Sequence, residues 1–458
     1  YKTGNILSEI KDERDEYSKQ FRLDDGTTMA VSYQEPIHYK NAAGEWVDYD
    51  NSLKNETVNS ASPDEVTEEY TNKKSDFKVN YSKKSKENSM VKIKGDNQKI
   101  SWGYKDTNKV KSTIVNNDEE LIGNEKFTTL KNLTSEITYE NIYDDVDVQY
   151  FTTTTGVKEN IILKNKNARS DFYIQYKFNN LTAKSVDDKT VELLNSKGDA
   201  VYKIEAPFMF DNDGNKSTDL TLSITEQKKN KLTLKVSADK KFLSDCSYPV
   251  TIDPQFTTSQ NWQKSQCTYV DSSKPSTCFG YGSSDGYIGS VYVGSFSSGI
   301  YRTYFKINSL PTLNKGDMVV QAHMNLHLEN NDFNRNMNIG AYSPNGSWTQ
   351  DTLTWKNQPS YNSNVVDYET FTKNESEAWH SWDVTSCVKR WYNGEANNGI
   401  MLKALTTDDE NQCAAFYSSN YPTSSTPRPL FTIVYRNNKG LEDYWTYSSF
   451  SVGSAGTA

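Results

Sequence analysis

A chain of 458 residues has room for two or three domains with their own cores. Its hydrophobic fraction is only 35%, and 30 Tyr, 18 Phe and 9 Trp stand in for scarce aliphatics. A net charge of −9 with no clustered Lys and Arg argues against nucleic acid as a partner. No run of about 18 apolar residues is present, so no membrane insertion is expected. Five cysteines (Cys246, Cys267, Cys278, Cys387, Cys413) lack the spacing of a metal motif; Cys267 and Cys278 either close a loop or stay, like the others, free small hydrophobes.

From Tyr1 to about Pro254 the sequence is a succession of short alternating segments separated by turn pairs, which predicts antiparallel β-structure. FRLDDGTTMAVSY (21–33) sets Asp25-Gly26 between two runs, IHYKNAAGEWVDYD (37–50) does the same with Gly44, and VDVQYFTTTTGVKENIILK (146–164) with Gly156; each reads as a hairpin. SEIKDERDEYSKQ (8–20) has too few apolar positions for a helix and reads as irregular or an edge strand. Residues 54–75 and 82–90 are polar and charged and read as surface loops. FYIQYKF, KTVELLNSKGDAVYKIEAPFMF and LTLKVSADKKFL give further strands up to SYPVTIDP (247–254).

A break is expected at DPQFTTSQN (253–261), because seven of the nine tryptophans follow it. The long alternating run VVQAHMNLHLE (319–329) and NGIMLK (398–403) read as strands. In SWDVTSCVKRWYNGEANNGIMLK (381–403), Val384, Val388 and Trp391 recur at helical spacing, Asp383 can cap the start, and Asn393-Gly394 can end the helix in a left-handed turn. The prediction is a single short helix, Thr385 to Tyr392, set on a sheet. His323 and His327 share one face of their strand about 13 Å apart, too far to share a metal, and read as outward polar positions or part of a binding face. DNDGNKSTDLTL (211–222) begins like a calcium loop, but Lys216 replaces the required Gly and Leu222 the bidentate Glu, so a hairpin turn is expected. No cofactor is called for, with structural calcium left open. No Gly-x-Ser-x-Gly, Cys-His pair or His-Glu-x-x-His occurs, and the expectation is a protein that is not an enzyme.

These motifs resemble a known family. YRTYFKINSLP (301–311), with Arg302 ahead of Leu310-Pro311, SWTQDTLTWKNQP (347–359), with Trp348, Thr354, Trp355 and Pro359, and the closing segment from Asp383 to Gly399 are similar to the DNRLRE domain, classed among carbohydrate-binding modules. GTTMAVSYQEPIHYKNAAGEWVDYDNSL, VDVQYFTTTTGVKENIIL, YPVTIDP and GLEDYWTYSS (440–449) resemble the N-terminal region of bacterial wall-associated proteins with Rhs or YD repeats. The resemblance implies an extracellular, secreted or cell-wall-associated bacterial protein, of which this chain, opening YKTGNILSEI and stopping at SVGSAGTA, is an excised piece. It also implies an all-β fold of antiparallel β-sandwiches: residues 1–255 as an N-terminal β-rich domain, 256–436 as a jelly-roll-like sandwich with one short helix, and 437–458 as a linker into the repeats.

The resemblance implies binding rather than turnover, with a glycan, or a host glycoprotein such as an immunoglobulin, as partner; a structural cap on an Rhs toxin shell is a third reading. Sugar binding needs flat exposed aromatics that stack on pyranose rings beside polar groups that read hydroxyls. Candidates in predicted loops are Tyr281, Tyr287, Trp379, Tyr417 and Tyr421, whereas Trp348, Trp355 and Trp391 are expected in the core and Arg302 beside a carboxylate or carbonyl.

Overall fold

The structure is a computed structural model and describes residues 3–59, 66–86, 88–94, 98–116, 130–187, 190–204, 207–213, 215–253, 255–258, 265–280, 289–296, 299–307, 310–332, 336–373, 375–405, 412–419 and 428–437. Its sheets are antiparallel throughout, and the chain is an all-β protein of sandwich type.

Between residues 50 and 258 two sheets face each other. One runs in the order Thr221–Lys228, Lys231–Ser237, Asp171–Asn179, Lys99–Tyr104, Val91–Lys94, Lys78–Ser82, Val66–Lys74, Asp50–Asn59. The other is built around Ser112–Asn116, Ser135–Tyr143, Val146–Thr152 and Gly156–Leu163. The period-two alternation of a half-buried strand decides which side chains go inward. In Asp171–Asn179, Phe172, Ile174, Tyr176 and Phe178 are buried and meet Ile137, Tyr139, Val148, Tyr150, Val157 and Ile161 of the facing sheet. The three predicted hairpins are present. Gly26 adopts φ +79°, a left-handed conformation that a side chain would strain.

Two local expectations are corrected. Residues 54–59 and 66–74 are not loop: they form a long hairpin at the edge of the first sheet. Backbone pairing carries it, while one face keeps its charges in water, with Lys83 on Glu68 at 2.7 Å and Lys78 on Glu56. Within LTLKVSADKKFL the strand stops at Ser237 and a short helix, Lys240–Asp245, follows. The missed signal was Asp239, whose carboxylate caps that helix by accepting from the N–H groups of Lys241 and Phe242. The 211–222 stretch is the expected hairpin turn, since Asp211 Oδ1 accepts from the backbone of Asp213 and Asn215 at 3.0 and 2.8 Å.

The C-terminal sandwich centres on the long strand Met318–Asp332, which pairs with Leu430–Arg436 over its first half, Ala378–Asp383 over its middle and Gln412–Tyr417 near its end. The helix Thr385–Tyr392 lies where the sequence placed it and buries Cys387, Val388 and Trp391. Asp383 Oδ1 accepts from the Thr385 N–H at 2.9 Å, and Gly394 ends the element at φ +96°. Thr385 Oγ1 accepts from the Ala322 N–H at 2.9 Å and so fastens the helix start to the sheet.

Strand order does not follow sequence order. Ile6–Glu9, Ser18–Leu23 and Thr28–Ser32 are added to the C-terminal sheet through pairing of Thr28–Ser32 with 431–435. Their outer face, with Phe21, Leu23, Met29, Val31, Leu430 and Val434, packs against Tyr33, Ile37, Tyr49, Leu130 and Leu133 in an apolar layer between the two sandwiches. Arg428 and Glu35 close an ion pair of 2.9 Å beside it. All five cysteines are free thiols.

Candidate functional site

Strand register builds the site. Ala322, Met324, Leu326 and Leu328 fill the core, so His323, Asn325 and His327 take the opposite face of the long strand. His327 is in register with Trp379, and Leu328 with Phe416, which brings Tyr417 to the same place from the other side. The His327 ring stands edge-on to Trp379 with centroids 5.1 Å apart and an interplanar angle of 89°, and 5.5 Å from Tyr417 at 47°. All three are half-buried and form a ledge of aromatic surface.

Polar groups surround that ledge. The Tyr417 hydroxyl donates a long hydrogen bond of 3.4 Å to Glu377 Oε1. Ser290, opposite Tyr417 across the strands, donates to Glu329. His327 Nδ1 lies 3.0 Å from the Leu328 carbonyl, which can only accept, so Nδ1 carries the ring proton and Nε2 presents a lone pair. Burial pushes the His327 imidazole below its usual range, against the opposing pull of the Leu328 carbonyl and Glu377; the ring is neutral at pH 7. Burial pushes the Glu329 carboxyl upward; the Ser290 hydroxyl opposes this and Glu377 adds to it.

Of the ligand candidates, Trp379 and Tyr417 meet at this ledge; Tyr281, Tyr287 and Tyr421 lie outside the described residues. Trp379 and Tyr417 are not in loops, as the sequence suggested, but on strands Ala378–Asp383 and Gln412–Tyr417. His380 and Trp382 take the core-facing positions and leave Trp379 on the opposite face, half-buried and packed against the apolar layer between the sandwiches. Glu329, Glu377 and Ser290 were missed; Glu329 continues the alternation of His323 and His327 along one strand, and Glu377 precedes Trp379 by two residues.

On a second face of the sandwich, Trp348 is buried against Tyr304 at 5.4 Å, with its indole N–H donating to the Asn398 carbonyl at 2.8 Å. Trp391 lies in the main core near Phe431, and Trp355 is half-buried beneath the Arg302 guanidinium at 4.5 Å. Arg302 finds its carbonyl in the side chain of Gln358, which accepts from Nη1 at 3.1 Å and also from the Tyr304 hydroxyl. Among the described residues no group of three or more His, Cys, Asp and Glu is arranged to hold a metal ion, and no helix is long and apolar enough to cross a membrane.

Residues 258–429, which contain every member of the ledge, match the model of carbohydrate-binding module family 96. Over 453 residues the chain is 24% identical to "tRNA nuclease WapA" of Bacillus subtilis (strain 168), covering 95% of this chain and 18% of that protein. It is 25% identical over 465 residues to "tRNA3(Ser)-specific nuclease WapA" of Bacillus spizizenii, with the same coverage. A "Wall-associated protein" of Geobacillus stearothermophilus is 24% identical over 209 residues, which is 45% of this chain and 75% of that protein. The chain thus spans under a fifth of the length of these nucleases. A solved N-terminal domain of the Streptococcus gordonii adhesin Sgo0707 aligns with 9% identity and a TM-score of 0.11, which carries no argument.

Proposed function

We propose that this chain is a non-catalytic, carbohydrate-binding part of an extracellular, wall-associated bacterial protein, and that it holds glycan on the ledge of Trp379, His327 and Tyr417. One observation carries the reading: inside the segment that matches a carbohydrate-binding module, two half-buried aromatic rings from different strands bracket an imidazole on the sheet face opposite the core, beside the apolar layer, with carboxylates next to them. Such rings offer apolar faces to a pyranose, and the flanking oxygens and lone pairs orient its hydroxyls. The similarity to the wall-associated protein and to the nucleases supports the cellular setting. The nuclease names belong to proteins of which this chain corresponds to 18%, and we place no nuclease chemistry in it. The sequence resemblance adds a position ahead of an Rhs or YD-repeat region.

Titration of the full chain against a glycan panel tests this. Trp379→Ala and Tyr417→Ala are each expected to weaken glycan binding roughly tenfold without changing the melting temperature by more than a few degrees. Binding that ignores both substitutions would overturn the ledge, and tight binding to a deglycosylated immunoglobulin in place of glycan would replace the reading with a protein interface.

A further inference from the structure

A nucleophile and an electrophile meet away from the ledge, in the N-terminal sandwich. Lys158 and Asp253 are 8% and 3% exposed, and Lys158 Nζ lies 2.9 Å from Asp253 Oδ2. Strand register brings them there. Val157 and Ile161 of Gly156–Leu163 fill the core, as do Val250 and Ile252 of Val250–Asp253, so Lys158 and Asp253 fall on the other face of the same sheet. Ile161 pairs with Ile252 and Lys158 with Gln255, which sets the amine diagonally across from the carboxyl.

Two charges this far from water are costly to keep. A buried ion pair is often no more stable than apolar side chains of the same size, because desolvation of both ions offsets their attraction. Burial pushes the Lys158 ammonium below its usual range; Asp253 opposes this and Arg428 adds to it, so that the neutral, nucleophilic amine becomes accessible. An amide between the two side chains removes both charges, and contact held in a packed sheet supplies the effective concentration that a free amine and carboxyl lack in water. We propose that Lys158 and Asp253 condense, without a cofactor, into an intramolecular isopeptide bond that staples the strand leaving the N-terminal sandwich to the middle of its sheet. The nitrogen lone pair forms the bond to Cγ and the Cγ–Oδ2 bond breaks. Two of the three ammonium protons depart with Oδ2 as water, the third stays on the amide nitrogen, and nothing is oxidised or reduced. The bond is independent of the glycan reading.

Mass spectrometry of the denatured full chain tests this, since an ion pair dissolves in denaturant and an amide does not. Wild type is expected to be lighter than its sequence by one water. Trypsin should release a branched peptide in which residues 132–164, uncut after Lys158, carry residues 242–264. A succinimide also loses water, but none forms at Asp253, because the nitrogen of Pro254 has no proton to give up. Asp253–Pro254 is also the one Asp-Pro bond of the sequence, and such a bond opens in hot dilute acid through attack by its own free carboxyl. In wild type it should resist. Lys158→Arg keeps a cation opposite Asp253 but no amine to acylate; it should show the full sequence mass and open at Asp253–Pro254 in acid. Wild type at its full sequence mass, loss of water placed elsewhere by the fragment spectra, or acid opening of Asp253–Pro254 in wild type as fast as in Lys158→Arg would each overturn the cross-link and leave an ordinary ion pair. The wild-type measurements stand even if Lys158→Arg fails to fold.

Discussion

At the scale of the residue, the N-terminal sandwich holds an ionisable group where its strand pattern calls for an apolar one. Glu159 shares the inward face of its strand with Val157 and Ile161 and is 3% exposed. The Tyr104 hydroxyl donates to it at 2.8 Å. Burial pushes its carboxyl up to about 7, more than its hydrogen bonds to Tyr150 and Tyr104 pull it down. The folded protein then holds a proton that the unfolded chain has released between about 4.5 and 7. Stability from this group is therefore complete below the lower value, falls as pH rises through the upper one and is level beyond it, for a loss of roughly 3 kcal/mol at most. Glu159→Gln retains an acceptor for Tyr104 and should flatten this slope, so the variant should melt above wild type in mildly alkaline buffer and level with it in acid. A parallel pH dependence in the two proteins would show the carboxyl to be ionised harmlessly.

At the scale of the element, local signals were legible and long-range ones were not. Asp25-Gly26 and the spacing of Val384, Val388 and Trp391 carry their own conformational preference within a few residues, so the hairpin and the helix could be read off. The hairpin 50–59/66–74 could not, because its ladder depends on neighbouring strands rather than on an apolar face of its own. The pairing of Thr28–Ser32 with residues 431–435 joins segments some 400 residues apart, and no local pattern encodes a partner at that distance. Of the ledge, the aromatic types were legible, but their convergence on His327 depends on the register of three strands. The added strands make a test. Val31 is fully buried in the layer between the sandwiches, and Val31→Asp should cost several kcal/mol, since a carboxylate there is desolvated among apolar side chains and its cross-strand neighbour Lys19 is already paired with Asp48. Hydrogen exchange should show residues 430–436 losing protection first; protection unchanged there would mean that the C-terminal sheet stands without its N-terminal strands.

At the scale of the whole molecule, the two sandwiches share an apolar layer and a largely buried ion pair. Glu35 accepts from Arg428 at 2.9 Å, and Thr154 of the N-terminal sandwich reaches the same carboxylate at 3.5 Å. Removing one partner of a buried pair costs roughly 3–5 kcal/mol. Arg428→Ala is expected to lower the melting temperature and split one calorimetric transition into two; a single transition at the wild-type temperature would show that the apolar layer alone couples the halves.

The added strands have a mechanical consequence too. Ile6 pairs with Leu23, Arg22 with Thr28 and Thr28 with Tyr435, so Ile6 and Arg436 emerge at the same end of the sheet, three strand spacings or roughly 15 Å apart. Tension applied across those two points would enter and leave through four neighbouring strands and pull them apart rung by rung, as a zipper opens, rather than sliding them past one another. The ledge and the N-terminal sandwich would hang beside that line of load, so a stretched tether could keep its grip on sugar until the zipper gave way.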